Sequence, residues 1–600
     1  MCGISGIIAK PATKYQENLD KMIKSLHHRG PDSGGMVVFD NCVLGHNRLS
    51  IVDLSTGQQP MYSTDHQKAL VFNGEIYGYE KIRQNLNYSY QTTSDTEVIL
   101  ALYEQYGEDM LKHLPGMFAF ALWDDKLQKL ICGRDRFGEK PLYYGFGKNG
   151  EFIFGSEIKA ILASGLIEPK LDRDALVHYL KYLYIEPNKT VYSNIFVLPP
   201  AHQLIFTDGK VKQDRYWQLP VINQGIDVEM AVEQFRYLLE ASVKKQLVAD
   251  VPVGAFLSGG LDSSTIVAVA SKFKKQLKTF SFGFGSSASE LFYAREVAEL
   301  YKTDHKELFP EGDIAELLLK MGDVFDEPFA DSSNIPTYLI SSEASKYVKV
   351  ILTGDAGDEL FGGYDWYKIF LYYNNNELKH DSKMKFMFWK VLAKLDIQFQ
   401  HKFWKSQASY LGGVTKTPAE FYKALNLYFT DQEINQLGLL TKYKDNNLST
   451  LNFEPTHADL VDYMPGDILT KIDRASMANS IELRAPFLDI DFASFCASLP
   501  LNLKVNKNED KVILRRAYAE AWPESVKYRS KQGFGAPVKE WLAIRSVQAL
   551  KHEYLDNPDK DIFKLLSFKA SRKFVNADNY RTWILLVLSI WMEKHQFNYE

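Results

Sequence analysis

The sequence has little cysteine, no long apolar run and no large excess of charge of either sign. Its 600 residues contain four cysteines, Cys2, Cys42, Cys132 and Cys496, which lie far apart and form no C-x-x-C pair. This spacing argues against a zinc site and against a disulfide framework. It fits a reducing compartment, so we expect a cytoplasmic protein.

The missing apolar runs and charge patches exclude further classes of protein. No stretch of about 18 uncharged apolar residues occurs, so we expect no membrane span. The N-terminus lacks the basic and apolar regions of a signal peptide. The net charge of −5 indicates no general nucleic-acid surface. With 46% hydrophobic residues, a chain of this length can bury a large core and must divide into domains.

The first part of the chain, residues 2–217, is predicted to be one domain of short strands and helices. The apolar runs are broken by Gly, Pro and Asn, and a helical stretch runs from Thr96 to Tyr106. The predicted strands are Met36 to Phe39, Ala69 to Phe72, Phe118 to Trp123 and Leu130 to Cys132. This mixture predicts two antiparallel sheets covered by helices. Residues 218–229, with Pro, Gly and Asn, are a predicted linker.

Residues 230–600 show a different sequence pattern, in which predicted helices alternate with apolar runs. A helix is predicted from Ala231 to Lys245. The predicted strands are Val253 to Leu257, Thr279 to Phe284 and Val348 to Leu352. Strands that alternate with helices indicate a parallel sheet with crossover helices.

One segment of this second domain has an unusual composition. Residues 366–410 are rich in Lys and aromatic side chains, with helical spacing at Met387, Val391, Leu392 and Leu395. Such a helix can lie on a membrane surface or bind a partner. We favour an amphipathic helix packed on its own domain, which is the commoner arrangement.

The second residue is a cysteine, and its position matters. Removal of Met1 would leave Cys2 with both a thiol and a free α-amino group. The thiolate is the reactive form of cysteine, and an α-amine with a pKa of about 7.7–8.0 can accept the thiol proton. One residue could then supply both nucleophile and base. A cysteine at this position can equally be accidental when it is considered alone.

A cysteine that attacks an amide needs oxyanion donors and groups that hold the substrate. Asn73 and Gly74 follow a predicted strand and can donate an amide and a backbone N–H. Arg48 can bind a carboxylate through two hydrogen bonds, and Asp95 can bind an ammonium group. Each has an ordinary alternative: Asn-Gly is a common hairpin turn, Arg48 can form a structural ion pair, and Ser94 or Asp95 can cap the following helix.

Taken together, these segments resemble the N-terminal-nucleophile (class II) glutamine amidotransferases. The matching segments are Cys2-Gly3-Ile4, His28-Arg29-Gly30-Pro31-Asp32, Arg48-Leu49-Ser50-Ile51-Val52-Asp53, Asn73-Gly74-Glu75-Ile76-Tyr77 and Gly133-Arg134-Asp135-Arg136-Phe137-Gly138. The resemblance implies a four-layer αββα sandwich of the Ntn-hydrolase type. It implies that Cys2 is the nucleophile and that Asn73 and Gly74 form the oxyanion hole. The glutamine-binding residues it implies are Arg48, Leu49, Ser50, Ile51, Val52, Asn73, Gly74, Glu75 and Asp95.

The second domain contains a glycine-rich turn, Ser258-Gly259-Gly260-Leu261-Asp262-Ser263-Ser264, between an apolar run and a helix. Backbone N–H groups in such a turn and at the helix N-terminus can bind phosphate. The lysine of a Walker A loop is absent. The turn is therefore better suited to pyrophosphate, and so to adenylyl transfer.

An acidic loop follows the next apolar strand, from Thr353-Gly354-Asp355 to Asp358-Glu359. Carboxylates near a phosphate site are natural Mg²⁺ ligands, and Asp262 and Asp358 are our metal candidates. Loops at the carboxyl ends of adjacent parallel strands are where α/β sheets bind nucleotides. A solvated acidic loop is the less favoured alternative.

These segments resemble the synthetase domain of glutamine-dependent asparagine synthetases, with its pyrophosphatase-type nucleotide loop. The further matches are Glu327-Pro328-Phe329-Ala330-Asp331-Ser332-Ser333, Arg474-Ala475-Ser476-Met477, Glu482-Leu483-Arg484-Ala485-Pro486-Phe487-Leu488-Asp489 and Gly533-Phe534-Gly535-Ala536-Pro537. The match ends near residue 545, and the last ~55 residues and the Lys-aromatic segment match little. The ATP-binding residues it implies are Phe256, Leu257, Ser258, Gly259, Gly260, Leu261, Asp262, Ser263, Ser264, Phe282, Thr353 and Gly354.

The same resemblance implies two further catalytic residues. Lys511 matches a lysine that stabilises the pentavalent transition state, although most lysines on a helix are simply exposed. Asp355 stands where some relatives have a glutamate implicated in forming and aminating the acyl-adenylate. Its shorter side chain keeps the charge but reaches less far, so its role is less secure.

The resemblance implies an ATP-dependent amidotransferase that uses ATP, Mg²⁺ and glutamine. Cys2 would release ammonia, which would pass through an internal tunnel to an adenylated carboxylate, most simply that of aspartate. Relatives of this length also amidate carboxylates of cell-surface sugars or of peptidoglycan peptides, so the acceptor stays open. A glutamine- or nucleotide-binding regulator without turnover is the alternative from another class. The sequence does not fix the oligomeric state, and the resemblance suggests a homodimer.

Overall fold

A computed structural model describes residues 1–283, 288–309, 312–375, 415, 417–440, 453–529 and 536–598. Within these ranges the chain forms two six-stranded antiparallel sheets, followed by one five-stranded parallel sheet. Both predicted sheet types are therefore present, in the predicted order along the chain.

The first antiparallel sheet has the order β10-β8-β9-β1-β3-β2, and the second has the order β12-β11-β7-β6-β5-β4. The strands of the first sheet are β1 (Cys2–Ile8), β2 (Ser33–Val38), β3 (Cys42–Arg48), β8 (Tyr143–Phe146), β9 (Phe152–Gly155) and β10 (Ile195–Val197). Those of the second sheet are β4 (Met61–Tyr62), β5 (Lys68–Glu75), β6 (Met117–Asp124), β7 (Lys129–Arg134), β11 (His202–Thr207) and β12 (Lys210–Arg215).

Helices cover the outer faces of both sheets, which completes the expected four-layer αββα sandwich. Ile4 and Val71 belong to the core between the sheets. Leu19 of one helix packs in the core that contains Ile7, and Leu102 of another helix packs in the core that contains Phe72. The helices of this domain are α1 (Gln16–Ser25), α2 (Tyr79–Asn85), α3 (Glu97–Tyr106), α4 (Ile158–Ala163) and α5 (Arg173–Tyr182).

The strand β5 is longer than the sequence predicted, and this extension carries Asn73 and Gly74. The prediction ended at Phe72, but Asn73 and Glu75 continue the ladder with Ala119 and Met117 of β6. Polar residues can continue a strand when the neighbouring strand supplies backbone partners, which the sequence of one strand does not reveal. Asn73 and Gly74 are therefore held by a sheet rather than by a free turn.

The linker prediction ended two residues late. Helix α6 (Val228–Gln246) begins at Val228 because the Asp227 side chain caps it, accepting a hydrogen bond from the Met230 N–H at 3.0 Å. The residues before it, from 216 to 227, contain no strand or helix.

The parallel sheet has the order β15-β14-β13-β16-β17. Its strands are β13 (Val253–Phe256), β14 (Lys278–Phe282), β15 (Asp304–Leu308), β16 (Val350–Leu352) and β17 (Glu482–Arg484). The three predicted strands contain β13, β14 and β16, and residue 284 lies outside the described residues. The sequence did not predict β15, which is a polar edge strand, or β17, which has only three residues.

Helix α7 (Leu261–Phe273) follows β13, as predicted. The remaining α-helices of this domain are Ala288–Tyr301, Ile314–Val324, Asn334–Ala344, Gly357–Phe361, Asp365–Asn374, Pro418–Leu425, Asp431–Gln436, Pro455–Val461, Leu469–Met477, Ile490–Ser498, Leu501–Lys504, Val512–Tyr518, Glu524–Lys527, Val538–Leu542, Arg545–Leu555, Ile562–Leu565, Phe568–Val575 and Tyr580–Lys594. No helix in the described ranges is long and apolar enough to cross a bilayer.

The C-terminal residues and the Lys-aromatic segment, residues 366–410, were the two segments without a sequence match. The last helix, Tyr580–Lys594, packs into the core with Trp583 and Trp591 buried, and the Tyr179 hydroxyl of the first domain donates to the Ile584 carbonyl at 2.8 Å. It therefore helps to join the domains. The predicted helical positions Met387, Val391, Leu392 and Leu395 lie outside the described residues.

Candidate active sites

Cys2 is buried at the start of β1, opposite Arg48 of β3. Its backbone is fixed by two side chains: the Cys2 N–H donates to Asn73 Oδ1 at 2.9 Å, and Arg29 Nε donates to the Cys2 carbonyl at 3.1 Å. Burial raises the pKa of the Cys2 thiol, and the Met1 ammonium and Arg48 oppose that shift. With Met1 attached, this thiol is held in its unreactive protonated form.

Asn73 and Gly74 lie near the end of β5, and Asn73 contacts the Cys2 backbone. Asn73 is fully buried, and its Nδ2 has no hydrogen-bond partner in the described chain although its Oδ1 contacts Cys2. A buried donor without a partner is rare and needs an explanation. Gly74 is required sterically, because a Cβ there would lie 2.1 Å from the Met117 carbonyl oxygen.

Arg48 also has a hydrogen-bond donor without a partner among the described residues. Its Nη2 donates to the Val52 carbonyl at 3.2 Å and to the Asp53 carbonyl at 2.5 Å. Its Nη1 is buried without a partner among the described residues. No carboxylate of the described chain pairs with Arg48, so the geometry does not favour the structural ion pair. A ligand carboxylate would complete this site.

Asp95 lies beside the end of β5, where its Oδ2 accepts the Ile76 N–H at 2.9 Å. Helix α3 begins at Glu97 with Thr96 as its N-cap, and no side chain caps it. Directly before the helix, Ser94 Oγ accepts the Thr96 N–H at 3.2 Å, so the capping alternative for Ser94 stays a prediction. Burial raises the pKa of Asp95.

Glu75 contacts the second domain. Its Oε2 accepts a hydrogen bond at 3.1 Å from Arg484 Nη2, which belongs to the parallel-sheet domain. Burial raises the pKa of Glu75, the charge of Asp95 adds to the shift, and Arg484 opposes it. The Glu75 carboxylate thus joins the two domains, and the role in glutamine binding that the resemblance implied stays a prediction.

The residues that follow Arg48 also face the second domain. Leu49 and Ile51 are buried in the apolar cluster that includes residues of β13 and β16, and the Ile51 carbonyl accepts the Asp250 N–H at 2.9 Å. Ser50 donates its N–H to Asp32 Oδ2 at 2.7 Å, and the Val52 carbonyl is a partner of Arg48. This segment fixes Arg48 against the domain boundary.

Met1 lies between the two domains. Its ammonium group donates to Glu482 Oε2 at 2.9 Å, and both groups are almost fully buried. Met1 also lines a cavity of about 10 Å³ together with Thr353 and Asp355. Loss of Met1 would therefore enlarge a gap between Cys2 and the acidic loop.

The parallel-sheet domain contains a pocket of about 560 Å³ at the carboxyl ends of its strands. Most of the predicted ATP-binding residues line it: Phe256, Leu257, Ser258, Gly260, Leu261, Asp262, Ser263, Phe282, Thr353 and Gly354. Gly259 and Ser264 do not. Gly259 adopts φ +70° and packs its backbone against Tyr293, while Ser264 is buried in α7. Both residues therefore support the loop without lining the pocket.

The serines of the glycine-rich turn form hydrogen bonds within the turn. The Ser258 N–H donates to Ser263 Oγ at 3.2 Å, and the Gly260 N–H donates to Ser258 Oγ at 3.3 Å. Helix α7 begins directly after Gly260, and no side chain caps it. The residues of its first turn, Leu261, Asp262 and Ser263, line the pocket, as expected of a phosphate-binding turn.

Lys511 joins the two metal candidates. Its Nζ contacts Asp262 Oδ2 and lies 2.7 Å from Asp358 Oδ1. Burial lowers the pKa of Lys511, but Asp262 and Asp358 outweigh burial and raise it overall. Lys511 is buried at the start of the Val512–Tyr518 helix with φ +51°. The exposed-lysine alternative is therefore wrong.

The donor set fits Mg²⁺. Asp262 and Asp358 converge on one point, and no group of three potential ligand side chains occurs in the part of the chain that the structure describes. Mg²⁺ usually takes one or two carboxylates and keeps waters and phosphate oxygens as its other ligands.

Lys471 and Asp331 are among the charged residues of this pocket that the sequence did not single out. Lys471 Nζ donates to Asp331 Oδ2 at 2.7 Å, and both residues line the pocket. Burial raises the pKa of Asp355, while a hydrogen bond from Thr353 and the charge of Lys471 oppose that shift. Asp331 was within a matched segment, and a lysine in a buried helix next to Arg474 was the available signal for Lys471.

Known proteins match both domains. Residues 234–593 match the family model described as asparagine synthase, and residues 1–217 match that of a glutamine amidotransferase domain. The chain is 34% identical over 631 residues to "Asparagine synthetase [glutamine-hydrolyzing] 1" of Bacillus subtilis (strain 168), covering 100% of this chain and 97% of that protein. It is 42% identical over 390 residues to a putative asparagine synthetase 2 of Methanocaldococcus jannaschii, covering 61% and 76%. A putative asparagine synthetase of Mycobacterium bovis is 31% identical over 652 residues, covering 98% and 97%.

Proposed function

This chain belongs to the asparagine synthase family and carries a glutamine amidotransferase domain, and we propose that it converts aspartate to asparagine with ammonia from glutamine. The family is one of ligases, and its reaction implies ATP as a co-substrate. The aspartate acceptor, the Mg²⁺ ion and the individual residue roles are our proposals. A regulator without turnover is not retained, because the relatives are named as synthetases over their full length.

In the first half-reaction, the α-amine of Cys2 accepts the thiol proton once Met1 has been removed. The sulfur attacks the side-chain amide carbon of glutamine, and Asn73 Nδ2 and the Gly74 N–H stabilise the oxyanion. The amide nitrogen leaves as ammonia with the proton held by the α-amine. Water then cleaves the thioester to give glutamate and the free thiol.

Arg48 and Asp95 would hold the amino-acid end of glutamine. The buried Nη1 of Arg48, which lacks a partner in the described chain, supports its role as the carboxylate ligand. Asp95 would bind the substrate ammonium, whose charge would lower the raised pKa of this buried carboxyl group.

In the second half-reaction, the side-chain carboxylate of aspartate attacks the α-phosphorus of ATP and pyrophosphate leaves. Lys511 and the N-terminal N–H groups of α7 would neutralise the negative charge that builds on the phosphates. Asp262 and Asp358 would hold Mg²⁺, which would supply further positive charge against the phosphates. Ammonia then attacks the acyl-adenylate, and AMP leaves as asparagine forms.

A single observation carries this proposal: the cavity beside Met1 is also lined by Asp355 and Thr353 of the nucleotide pocket. Residues of both domains line this small cavity, which supports a passage between Met1, the neighbour of Cys2, and the nucleotide pocket. Protonated ammonium is not a nucleophile, so transfer of neutral ammonia through this gap makes chemical sense.

The experiment that tests the acceptor is a screen for pyrophosphate release with the full-length protein, ATP and Mg²⁺. We expect release with aspartate and none with glutamate, whose side chain is longer. The Lys511→Met variant is the negative control. No release with aspartate, together with release on a sugar uronate or a peptidoglycan peptide, would overturn the proposal.

A larger carboxylate is the second candidate acceptor, because part of the pocket wall is aromatic. Tyr364, Trp366 and Tyr463 line the pocket, and the Tyr364 and Trp366 rings stack at 4.0 Å. An aromatic pocket wall suits a sugar ring better than free aspartate. This candidate keeps the same chemistry and changes only the acceptor.

A further inference from the structure

A second cavity of the parallel-sheet domain lies where three helices end: α7, Ala288–Tyr301 and Val512–Tyr518. We name it the helix-end pocket. Its volume is about 520 Å³, within the ~300–1,000 Å³ of small-molecule sites. Helix α7, whose 13 residues span roughly 20 Å, begins at the nucleotide pocket and ends at this one. In the part of the chain that the structure describes, the two pockets share no lining residue.

Two hydroxyl groups in the wall of the helix-end pocket lack hydrogen-bond partners. Tyr518 is 6% exposed, and its hydroxyl is buried without a partner in the described chain. Ser271 Oγ is likewise buried and has none among the described residues. A buried donor without a partner is costly, and each such group in a folded protein needs an explanation.

The Tyr518 hydroxyl is a donor that stays protonated. Burial raises the pKa of Tyr518, the charge of Glu240 adds to the shift, and the charge of Arg236 opposes it. Both charged residues line the same pocket. The hydroxyl therefore lies on the side of the helix-end pocket that α6 forms.

The acidic side chains of the helix-end pocket already have basic partners. Lys272 Nζ lies 2.6 Å from a carboxylate oxygen of Glu240, and Lys527 Nζ lies 4.0 Å from one of Glu520. Glu240 and Glu520 are the carboxylates that line the pocket. Their charge is therefore largely balanced before any ligand binds.

Two basic side chains of the pocket, Arg236 and Lys302, pair with no carboxylate in the described ranges. Arg236 Nε donates to the Ala517 carbonyl at 2.7 Å, and its Nη2 donates to the Arg516 carbonyl at 3.2 Å. These bonds fix the guanidinium at the end of the Val512–Tyr518 helix. The pocket therefore has an excess of positive charge, which favours an anionic ligand.

A structural role explains part of this arrangement. Cations are favourable at the C-termini of helices, where carbonyl groups carry partial negative charge. That role accounts for the contacts of Arg236 and for Lys302 directly after the Ala288–Tyr301 helix. It does not account for two hydroxyl donors that are buried beside these cations without an acceptor. An acceptor from outside the chain accounts for all four groups.

The rest of the pocket wall is largely apolar. It is formed by Ala268, Leu300, Ala517 and Ala521 together with the ring of Tyr301. Leu300 is 53% exposed. An inorganic anion would leave this apolar surface in water, whereas a ligand with an apolar body would cover it.

We propose that the helix-end pocket binds a small organic acid with an apolar body. The carboxylate accepts hydrogen bonds from the hydroxyls of Tyr518 and Ser271. Arg236 and Lys302 balance its charge, and its body lies against Leu300 and the alanines of the wall. Neither half-reaction of the proposed function uses this site.

The test measures the affinity of the full-length protein for three probes, benzoate, phenylacetate and cyclohexanecarboxylate, by ligand-observed NMR titration. The α,β-methylene analogue of ATP and Mg²⁺ are present at saturation, so the nucleotide pocket is filled. Each acid is compared with its own primary amide, which has the same shape without the charge, and with inorganic phosphate. We expect at least one acid to bind about 10-fold or more tightly than its amide and than phosphate, the value of one charge-assisted hydrogen bond.

Two matched variants assign the binding to this pocket. Tyr518→Phe removes only a hydroxyl that has no partner in the described chain, so its melting temperature should not fall. Its affinity for the acid should nevertheless fall by about 10-fold. The control is Tyr192→Phe, since the Tyr192 hydroxyl is also buried without a partner among the described residues but belongs to the first domain. This control should bind the acid as the wild type does.

The proposal is overturned if none of the three acids binds, or if the amides bind as tightly as the acids. It is also overturned if Tyr518→Phe binds the acid as tightly as Tyr192→Phe, which would place the probe elsewhere. Equal affinity for phosphate would show a site for an inorganic anion and would contradict the apolar body. A failure of aspartate as acceptor changes none of these results, because the titrations contain no aspartate.

Discussion

The two candidate active sites of this chain differ in whether their polar side chains have partners within the protein. Beside Cys2, Asn73 Nδ2 and Arg48 Nη1 are buried and have no partner in the described chain. In the nucleotide pocket, Lys511 contacts Asp262 and Asp358, and Lys471 contacts Asp331. Cys2, Asn73 and Arg48 are all buried, whereas the second site is a pocket of about 560 Å³.

This difference follows from the ligands that we propose. Glutamine is small, and a closed site can hold its donors ready in a fixed sheet at the end of β5. Triphosphate carries several charges, and lysines left unpaired in a buried pocket would be costly. Pairing with carboxylates keeps them charged until phosphates and Mg²⁺ replace those contacts.

The largest expected effect separates the two sites completely. Cys2→Ala should reduce glutamine hydrolysis by about three orders of magnitude or more, because it removes the nucleophile. Synthesis driven by added ammonium should continue, since the nucleotide pocket is unchanged. Glutamate and pyrophosphate are measured in parallel. Loss of the ammonium-driven reaction as well would contradict the separation.

The reverse separation is expected for Lys511→Met. Removal of the ammonium leaves Asp262 and Asp358 facing each other and takes away the charge that stabilises the departing pyrophosphate. We expect ATP–pyrophosphate exchange to fall by about 100-fold or more, while glutamine hydrolysis is retained. Equal loss of both activities would indicate that Lys511 acts on the whole fold instead.

Two changes beside Cys2 should affect different kinetic constants. Asn73→Ala should lower kcat for glutamine hydrolysis by about 100-fold with little change in KM, because an oxyanion donor acts mainly in the transition state. Arg48→Lys should mainly raise KM, since lysine cannot reproduce the fork geometry. If both variants changed KM alone, the oxyanion role of Asn73 would be wrong.

The smallest expected effect concerns stability beneath the aromatic wall. The Asp459 carboxylate accepts hydrogen bonds from Trp366, Tyr367 and Tyr422, yet burial outweighs them and raises its pKa to about 7. The folded protein therefore binds this proton more tightly than the unfolded chain does. The stabilisation is full below pH ~4 and is lost as the pH rises towards about 7.

Asp459→Asn should remove this contribution. Its melting temperature should fall less than that of the wild type between pH 5 and pH 8, as measured by thermal unfolding. Asp208→Asn, in the exposed turn between β11 and β12, is the matched control and should follow the wild type. An identical pH response of all three proteins would show that Asp459 is ionised in the fold throughout this range.

The sequence predicted local features well and contacts between distant segments poorly. The order of Asn73, Gly74 and the preceding apolar residues was enough to predict their place at the end of a strand. The Gly-rich turn before α7 was equally clear, because glycines and the apolar run of β13 are adjacent in the chain. Both are properties of a single short segment.

What the sequence could not predict depends on pairs of distant residues. The contact of Glu75 with Arg484 of the other domain could not be predicted, because 409 residues separate them in the chain. The strand β17 has only three residues and gains its stability from β16 beside it. Arg29 and Asp473 are each unremarkable in the sequence, and only the docking of the two domains brings them together.

The most direct test of the account follows the nitrogen. The enzyme is given glutamine labelled with ¹⁵N in its side-chain amide, ATP, Mg²⁺ and aspartate, in the presence of an excess of unlabelled ammonium. Mass spectrometry of the asparagine should find the label almost undiluted, because ammonia passes between the domains without leaving the protein. Dilution to the isotope ratio of the bulk solution would contradict the account.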